Sequence, residues 1–134
     1  MITNKVEYML LILVDLAKHS KEGYILSREI AERQQIPPKY MPQLMAALTR
    51  RGWVDSARGA KGGVKLAVDP GSIRVQDVID ATGDEFRIKP CLDPDFPCQR
   101  KSVCPLFPVW EKAQASLRDI MESTTIADLA SQSQ

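Results

Sequence analysis

The sequence predicts a mostly α-helical chain with one small β-hairpin, and three observations carry that prediction. Apolar residues recur at helical spacing in several segments; Pro37 and Pro38 interrupt the first half; and a glycine-rich basic tongue, "SARGAKGG" at residues 56–63, stands between Trp53-Val54 and the alternating run Val64, Leu66, Val68. At 134 residues and 44% hydrophobic content the chain has the size and composition of one globular domain, or of a small domain carrying an added arm.

The elements follow in order. Val6, Met9, Leu10, Leu13, Leu16 and Ala17 mark a helix from about residue 4 to 19, with Lys18 and His19 suited to its negative end. Tyr24-Ile25-Leu26 is long enough only for an edge strand. Ser27 then suits the cap of a second helix that buries Ile30 and Ala31. In "QQIPPKYM" the residue before each proline resists helical geometry, so residues 35–37 should turn, with Pro38 tolerated early in a third helix. That helix carries Tyr40, Met41, Leu44, Met45, Ala47 and Leu48 on one side, shows Lys39, Gln43, Thr49 and Arg50 on the other, and ends near Gly52.

Two short helices across a tight turn suggest a helix-turn-helix, whose second helix enters a DNA major groove. The basic tongue as a hairpin between two strands completes a winged helix-turn-helix. Charge agrees: the net charge is only +1, but the stretch 27–66 holds Arg28, Arg33, Lys39, Arg50, Arg51, Arg58, Lys61 and Lys65 against three acids. No apolar run approaches the roughly 18 residues that would span a bilayer, and the N-terminus lacks a secretory pattern, so a cytoplasmic location without membrane contact is expected. An enzyme is not expected: no nucleophile has a general base beside it, and there is no phosphate loop.

The segment "SREIAERQQIPPKYMPQLMAALTRRGWVDSARGAKGGVKLA" closely resembles the DNA-reading half of the bacterial IscR/NsrR family of winged-helix transcription regulators. The likeness lies in "EIAERQ.IP..Y", the leucines of the third helix and "RG..GG" in the wing. It extends through "IRVQDVIDATG", a short helix after the wing, into the cysteine region, and so covers nearly the whole chain. The resemblance implies a homodimer on pseudo-palindromic operator DNA, with a long C-terminal helix crossing between subunits. Trp110, Ala113, Leu117, Ile120 and Met121 form a one-sided apolar stripe over residues 108–125 that fits such a dimerisation helix. The expected organisation is a DNA-binding domain at 1–83, a cysteine-bearing loop at 84–107, and the dimerisation helix with a C-terminal tail at 108–134. Nothing in the sequence speaks to a contact with RNA polymerase.

All three cysteines, Cys91, Cys98 and Cys104, lie in "KPCLDPDFPCQRKSVCPLFP", spaced C-x6-C-x5-C among five prolines. An odd number of thiols in a reducing compartment points to ligands or sensing groups rather than structural disulfides. Such a loop can turn thiolates toward one centre, and from chemistry alone zinc and iron-sulfur remain open. The resemblance implies an iron-sulfur cluster, 2Fe-2S or 4Fe-4S, although the family's usual first gap is one residue shorter. The histidine that one branch places after the third cysteine is absent, with Phe107 in that region. Another branch, the nitric-oxide sensors, uses an aspartate on the first helix of the partner subunit, and aligning that helix by its final Leu-Ala puts Glu7 there. Asn4-x-x-Glu7 is also the spacing of a capping box, so Glu7 has two readings, ligand and cap. A cluster-free alternative, a thiol-redox or zinc-responsive regulator, shares the same fold.

The DNA-contacting residues expected by position are Lys39, Tyr40, Gln43 and Arg50 on the recognition helix. Gln43 is best suited to a base edge, because its amide can pair bidentately with adenine. Arg50 and Arg51 suit phosphates, as do Ser27 and Arg28 at the start of the second helix. In the wing, Arg58 suits a narrow minor groove, Lys61 a phosphate, and Gly59 close backbone approach. Some relatives carry a glutamate where this chain has Pro42, so operator preference is not transferable from them.

Overall fold

Helix α1 (Asn4–Lys18) is the axis of the structure, a computed structural model that describes residues 2–59, 62–83 and 85–132. Its start is set by Thr3, whose Oγ1 accepts from the Val6 amide at 3.3 Å. This corrects the capping reading of Asn4 and Glu7: the cap lies one residue earlier, and Glu7 is exposed in the first turn. Val6, Met9, Ile12, Leu13 and Leu16 are buried almost completely, because α1 is packed by elements on several sides rather than along one stripe.

Past a short 3-10 turn, Ile25 exchanges two 2.8 Å backbone hydrogen bonds with Val64, so the expected edge strand is a single antiparallel bridge. That bridge holds the chain extended through Leu26 (φ −68°, ψ 134°), which takes the cap position of α2 (Ser27–Gln34). Ser27 is therefore the first helical residue and makes no capping bond, contrary to its expected role. Ile30 and Ala31 are buried as expected. The helix ends at Gln35 in left-handed geometry (φ 55°), and the Ile36 amide reaches back to the Ala31 carbonyl at 2.9 Å while its side chain enters the core.

A 3-10 turn, Pro38–Tyr40, leads into α3 (Met41–Arg50), which buries Met41, Leu44, Met45 and Leu48. Pro42 falls in its first turn, where a missing N–H has no helical partner to lose. Strands β1 (Val54–Ala57) and β2 (Gly63–Leu66) pair antiparallel in the register Val54↔Leu66 to Ala57↔Gly63, forming the wing. The fold is thus mostly helical with one hairpin, a winged helix-turn-helix.

The second half adds α4 (Val75–Ala81), α5 (Phe107–Ser123) and α6 (Ile126–Ser131). The segment expected as a tail is α6. Thr125 and Asp128 cap it reciprocally at 2.9 and 3.1 Å, Ile126 is wholly buried, and the helix returns to pack on α1. By contrast α5, the longest helix, buries none of its residues fully and leaves Val109 and Ile120 more than half exposed. Among the described residues no helix is long and apolar enough to cross a membrane.

One charged group sits inside this packing. Asp15 on α1 is 1% exposed and receives Arg33 Nε and Nη2 at 2.9 and 2.7 Å and Gln34 Nε2 at 2.9 Å, all from the end of α2. Burial pushes its carboxyl up, but the hydrogen bonds and charge of Arg33, with help from Gln34 and His19, outweigh it and hold the carboxyl below its ordinary value. The stabilisation is complete above the unfolded value of about 3.9 and is lost as pH falls through the folded one. Arg33→Met should cost about 3–5 kcal/mol at neutral pH, because it leaves a buried carboxylate without its counter-charge. Urea unfolding at descending pH should show the gap to wild type beginning to shrink above about pH 4, where the variant's buried carboxyl, no longer held down by Arg33, takes up its proton.

Candidate DNA interface and cysteine loop

The buried apolar face of α3 dictates what its other face shows. With Met41, Leu44, Met45 and Leu48 inward, Lys39, Gln43, Thr49, Arg50 and Arg51 are exposed together. Thr49 turns its hydroxyl back to the Met45 carbonyl at 2.8 Å, which removes it from the set of free readers. Tyr40, expected on the apolar side, is 42% exposed, because it lies on the 3-10 turn and not in α3. Its ring stacks on Tyr8 of α1, with centroids 6.1 Å apart, and Lys39 Nζ lies 5.1 Å from its centre. Tyr8 went unnoticed in the sequence, since nothing local pairs it with a residue 32 positions away.

Further cations are held against aromatic rings. Arg51 lies over Trp53 at 4.9 Å and Lys65 over Tyr24 at 4.8 Å, which fixes the positions of otherwise flexible side chains beside the hairpin. A groove of about 610 Å³ runs between α2, α3 and the wing and brings together Ser27, Arg28, Met41, Met45 and Gly59. Arg58 is exposed at the start of the wing tip, followed by Gly59 at φ 103°. Lys61 lies outside the described residues.

The cysteine loop is a chain of turns. Cys91 lies in the 3-10 turn Pro90–Leu92, the Cys98 carbonyl accepts from the Lys101 amide at 3.3 Å, and the Cys104 carbonyl accepts from Phe107 at the head of α5 at 3.4 Å. Lys101 crosses the loop, donating to the Asp93 carbonyl at 3.0 Å and lying 5.5 Å from the centre of the Phe107 ring. Gln114 of α5 fastens the loop's first arm, donating to the Phe86 carbonyl at 2.6 Å and accepting from the Ile88 amide at 2.9 Å. All three cysteines are free thiols and half-buried. In number and softness they suit a thiolate-bound centre. Yet among the described residues no three His, Cys, Asp or Glu side chains converge into a metal-holding group, and Glu7 is not brought to the cysteines within the chain. His19, the lone histidine, donates from Nδ1 to the Asp15 carbonyl at 2.8 Å as part of the α1 terminus.

A recognition helix with a polar, cationic outer face, beside a basic hairpin, defines a winged-helix DNA-binding transcription regulator. The sequence profile of the Rrf2 family, described as iron-dependent transcriptional regulators, matches residues 2–132, and the chain belongs to that family. It is 31% identical over 130 residues to the HTH-type transcriptional regulator CymR of Bacillus subtilis, covering 97% of this chain and 89% of that one. The solved structure of CymR, the global cysteine regulator of B. subtilis, superposes with a TM-score of 0.81 at 30% identity, covering 100% and 98% of the two chains. T. potens IscR gives a TM-score of 0.74 at 34% identity, covering 100% and 88%.

The wing's placement depends on one residue. Gly63 has φ 139°, and a Cβ there would collide with the Ile25 backbone carbonyl. Gly63→Ala should break the Ile25–Val64 bridge and cost about 1–3 kcal/mol. Amide exchange should show selective loss of protection at Ile25 and Val64, with α1 unaffected.

Proposed function

We propose that this chain is a homodimeric, sequence-specific operator-binding regulator whose DNA affinity is set by chemistry at Cys91, Cys98 and Cys104. The observation that carries the DNA reading is the division of α3 into a buried methionine-leucine face and an exposed face bearing Gln43 and Arg50, with Lys39 exposed on the turn before it. Gln43 reads a base edge; Lys39, Arg50, Arg51 and the α2 start at Ser27 and Arg28 hold phosphates; Arg58, Gly59 and Lys61 bring the wing to the minor groove. Tyr40, steadied by Tyr8, packs beside them.

A second copy completes the molecule. A helix of 17 residues that buries none of its own side chains fully, with Val109, Ile120 and the preceding Leu106 each more than 50% exposed, is suited to pack on its equivalent. Twofold symmetry would then present two recognition helices to a pseudo-palindromic site. Alanine at Gln43 should cost about 1–3 kcal/mol of operator affinity and relax preference at one base pair. Arg58→Ala should weaken binding and, to the extent that it meets phosphate, lower the salt slope by about 1. Both are measured by fluorescence anisotropy on a selected operator across a salt series.

For the control step, the family and the three free thiols support an iron-sulfur cluster held by Cys91, Cys98 and Cys104, with Glu7 of the partner subunit as fourth ligand. Such a cluster would supply an oxidisable, ligand-exchanging centre directly before α5. Protein prepared without oxygen should be coloured and contain iron and sulfide, and Cys→Ala at any of the three positions should remove most of both. Glu7→Ala should alter the spectrum while leaving apo stability unchanged, since Glu7 caps nothing. A second reading, thiol oxidation without iron, is favoured by the open arrangement of the thiols and by the similarity to Staphylococcus aureus CymR, whose structure is described in an oxidized form. A colourless, iron-free protein after reconstitution, with operator binding reversed by disulfide reductants, would select that reading.

A further inference from the structure

A second concave site lies where α4, the first arm of the cysteine loop and α5 meet, a cavity of about 240 Å³. One wall accepts hydrogen bonds. Gln76 of α4 lines it although it is only 7% exposed, and its amide nitrogen donates to Asp80 Oδ1 at 2.9 Å. A carboxylate only accepts, so the group facing Asp80 is the NH2 and the carboxamide oxygen points elsewhere. Gln76 Oε1 and Asp80 Oδ2 take no part in that bond, and since no buried side-chain oxygen among the described residues lacks a partner, both are available at the cavity surface.

The opposite wall carries two guanidinium groups beside one further carboxylate, Glu85. Arg118 of α5 gives Nε to Glu122, and Arg87 of the loop pairs through Nη1 with Glu85 and Asp93. Each guanidinium has five N–H donors, so both retain donors toward the cavity that they line. Phe86, Leu92 and Met121 supply an apolar remainder. The walls are held in place by Gln114, whose amide grips the loop backbone on both sides of Arg87.

The polarity of the two walls selects the occupant. An anion alone would face Asp80 and Glu85, and a cation alone would face the arginines. The volume lies below the roughly 300–1,000 Å³ of drug-sized sites, so the molecule has few heavy atoms. We propose that this cavity binds a free zwitterionic α-amino acid. The ammonium lies on Gln76 Oε1 and Asp80, the carboxylate meets Arg118 and Arg87, and the side chain rests against Phe86, Leu92 and Met121. The bound molecule spans α4, the loop and α5, and so stabilises the conformation of the arm that carries Cys91. The site is separate from the recognition helix, and its occupancy stands or falls without reference to the operator or the cysteine chemistry.

The test uses the reduced full-length protein without DNA and the twenty L-α-amino acids one at a time, read by thermal shift and calorimetry. At least one should bind saturably and raise Tm with concentration. Its decarboxylated and deaminated analogues (isoamylamine and 4-methylpentanoate in the case of leucine) should bind at least about 10-fold more weakly. Arg118→Gln and Asp80→Asn, both at exposed helix positions, should lower affinity about 10-fold while circular dichroism and unliganded Tm stay as in wild type. The proposal is overturned if no amino acid binds at about 10 mM, if either analogue binds as well as its parent, or if both variants keep wild-type affinity.

Discussion

Asp15 is buried and ionised, and the guanidinium of Arg33 is what makes that state tolerable. The pair does more than satisfy a charge. It ties the end of α1 to the end of α2 with two parallel hydrogen bonds, and Gln34 adds a third, so the end of α2 has one position relative to the axis helix. The turn at Gln35 and the start of α3 follow directly from that position. A fork of this kind fixes angle as well as distance, which a hydrophobic contact of similar energy does not.

From there the recognition element is built by exclusion. Pro37, Pro38 and Pro42 prevent one continuous helix, and a 3-10 turn takes the place of a first α-helical turn. Lys39 and Tyr40 are therefore presented from the turn, while Gln43 and Arg50 come from the helix proper. The ring of Tyr8 braces Tyr40 from α1, so the same axis helix that carries Asp15 also positions the head of the recognition element. Ile25 plays the equivalent part for the wing, since its bridge to Val64 joins the hairpin to the start of α2.

The second half of the chain has a different character. Helix α6 closes on α1 with a wholly buried isoleucine, whereas α5 lies at the surface with few apolar groups covered. The cysteine loop is attached to α5 at both ends, by Gln114 on the first arm and by the Cys104–Phe107 turn on the second. The cysteine loop thus meets the rest of the fold through α5, which packs on α4, and α4 in turn packs on α1.

The order of elements, the hairpin, the cationic outer face of α3 and the placement of all three thiols on one loop were written in local pattern. Periodicity, proline geometry and glycine content act over a few residues, and they need no knowledge of distant neighbours. What the sequence by itself misplaced were the caps: Thr3 and Leu26 hold positions assigned to Asn4 and Ser27, because the Ile25–Val64 bridge and the packing of α1 decide where helical geometry begins. It also gave no sign that Asp15 would be buried, that Tyr8 would meet Tyr40, or that the last residues would form α6. Each of these depends on partners 18 to more than 100 residues apart, and an amphipathic stripe cannot reveal that a helix is enclosed on several sides. Tertiary structure alone made α1 a central axis, and so determined which polar groups had to be paired inside.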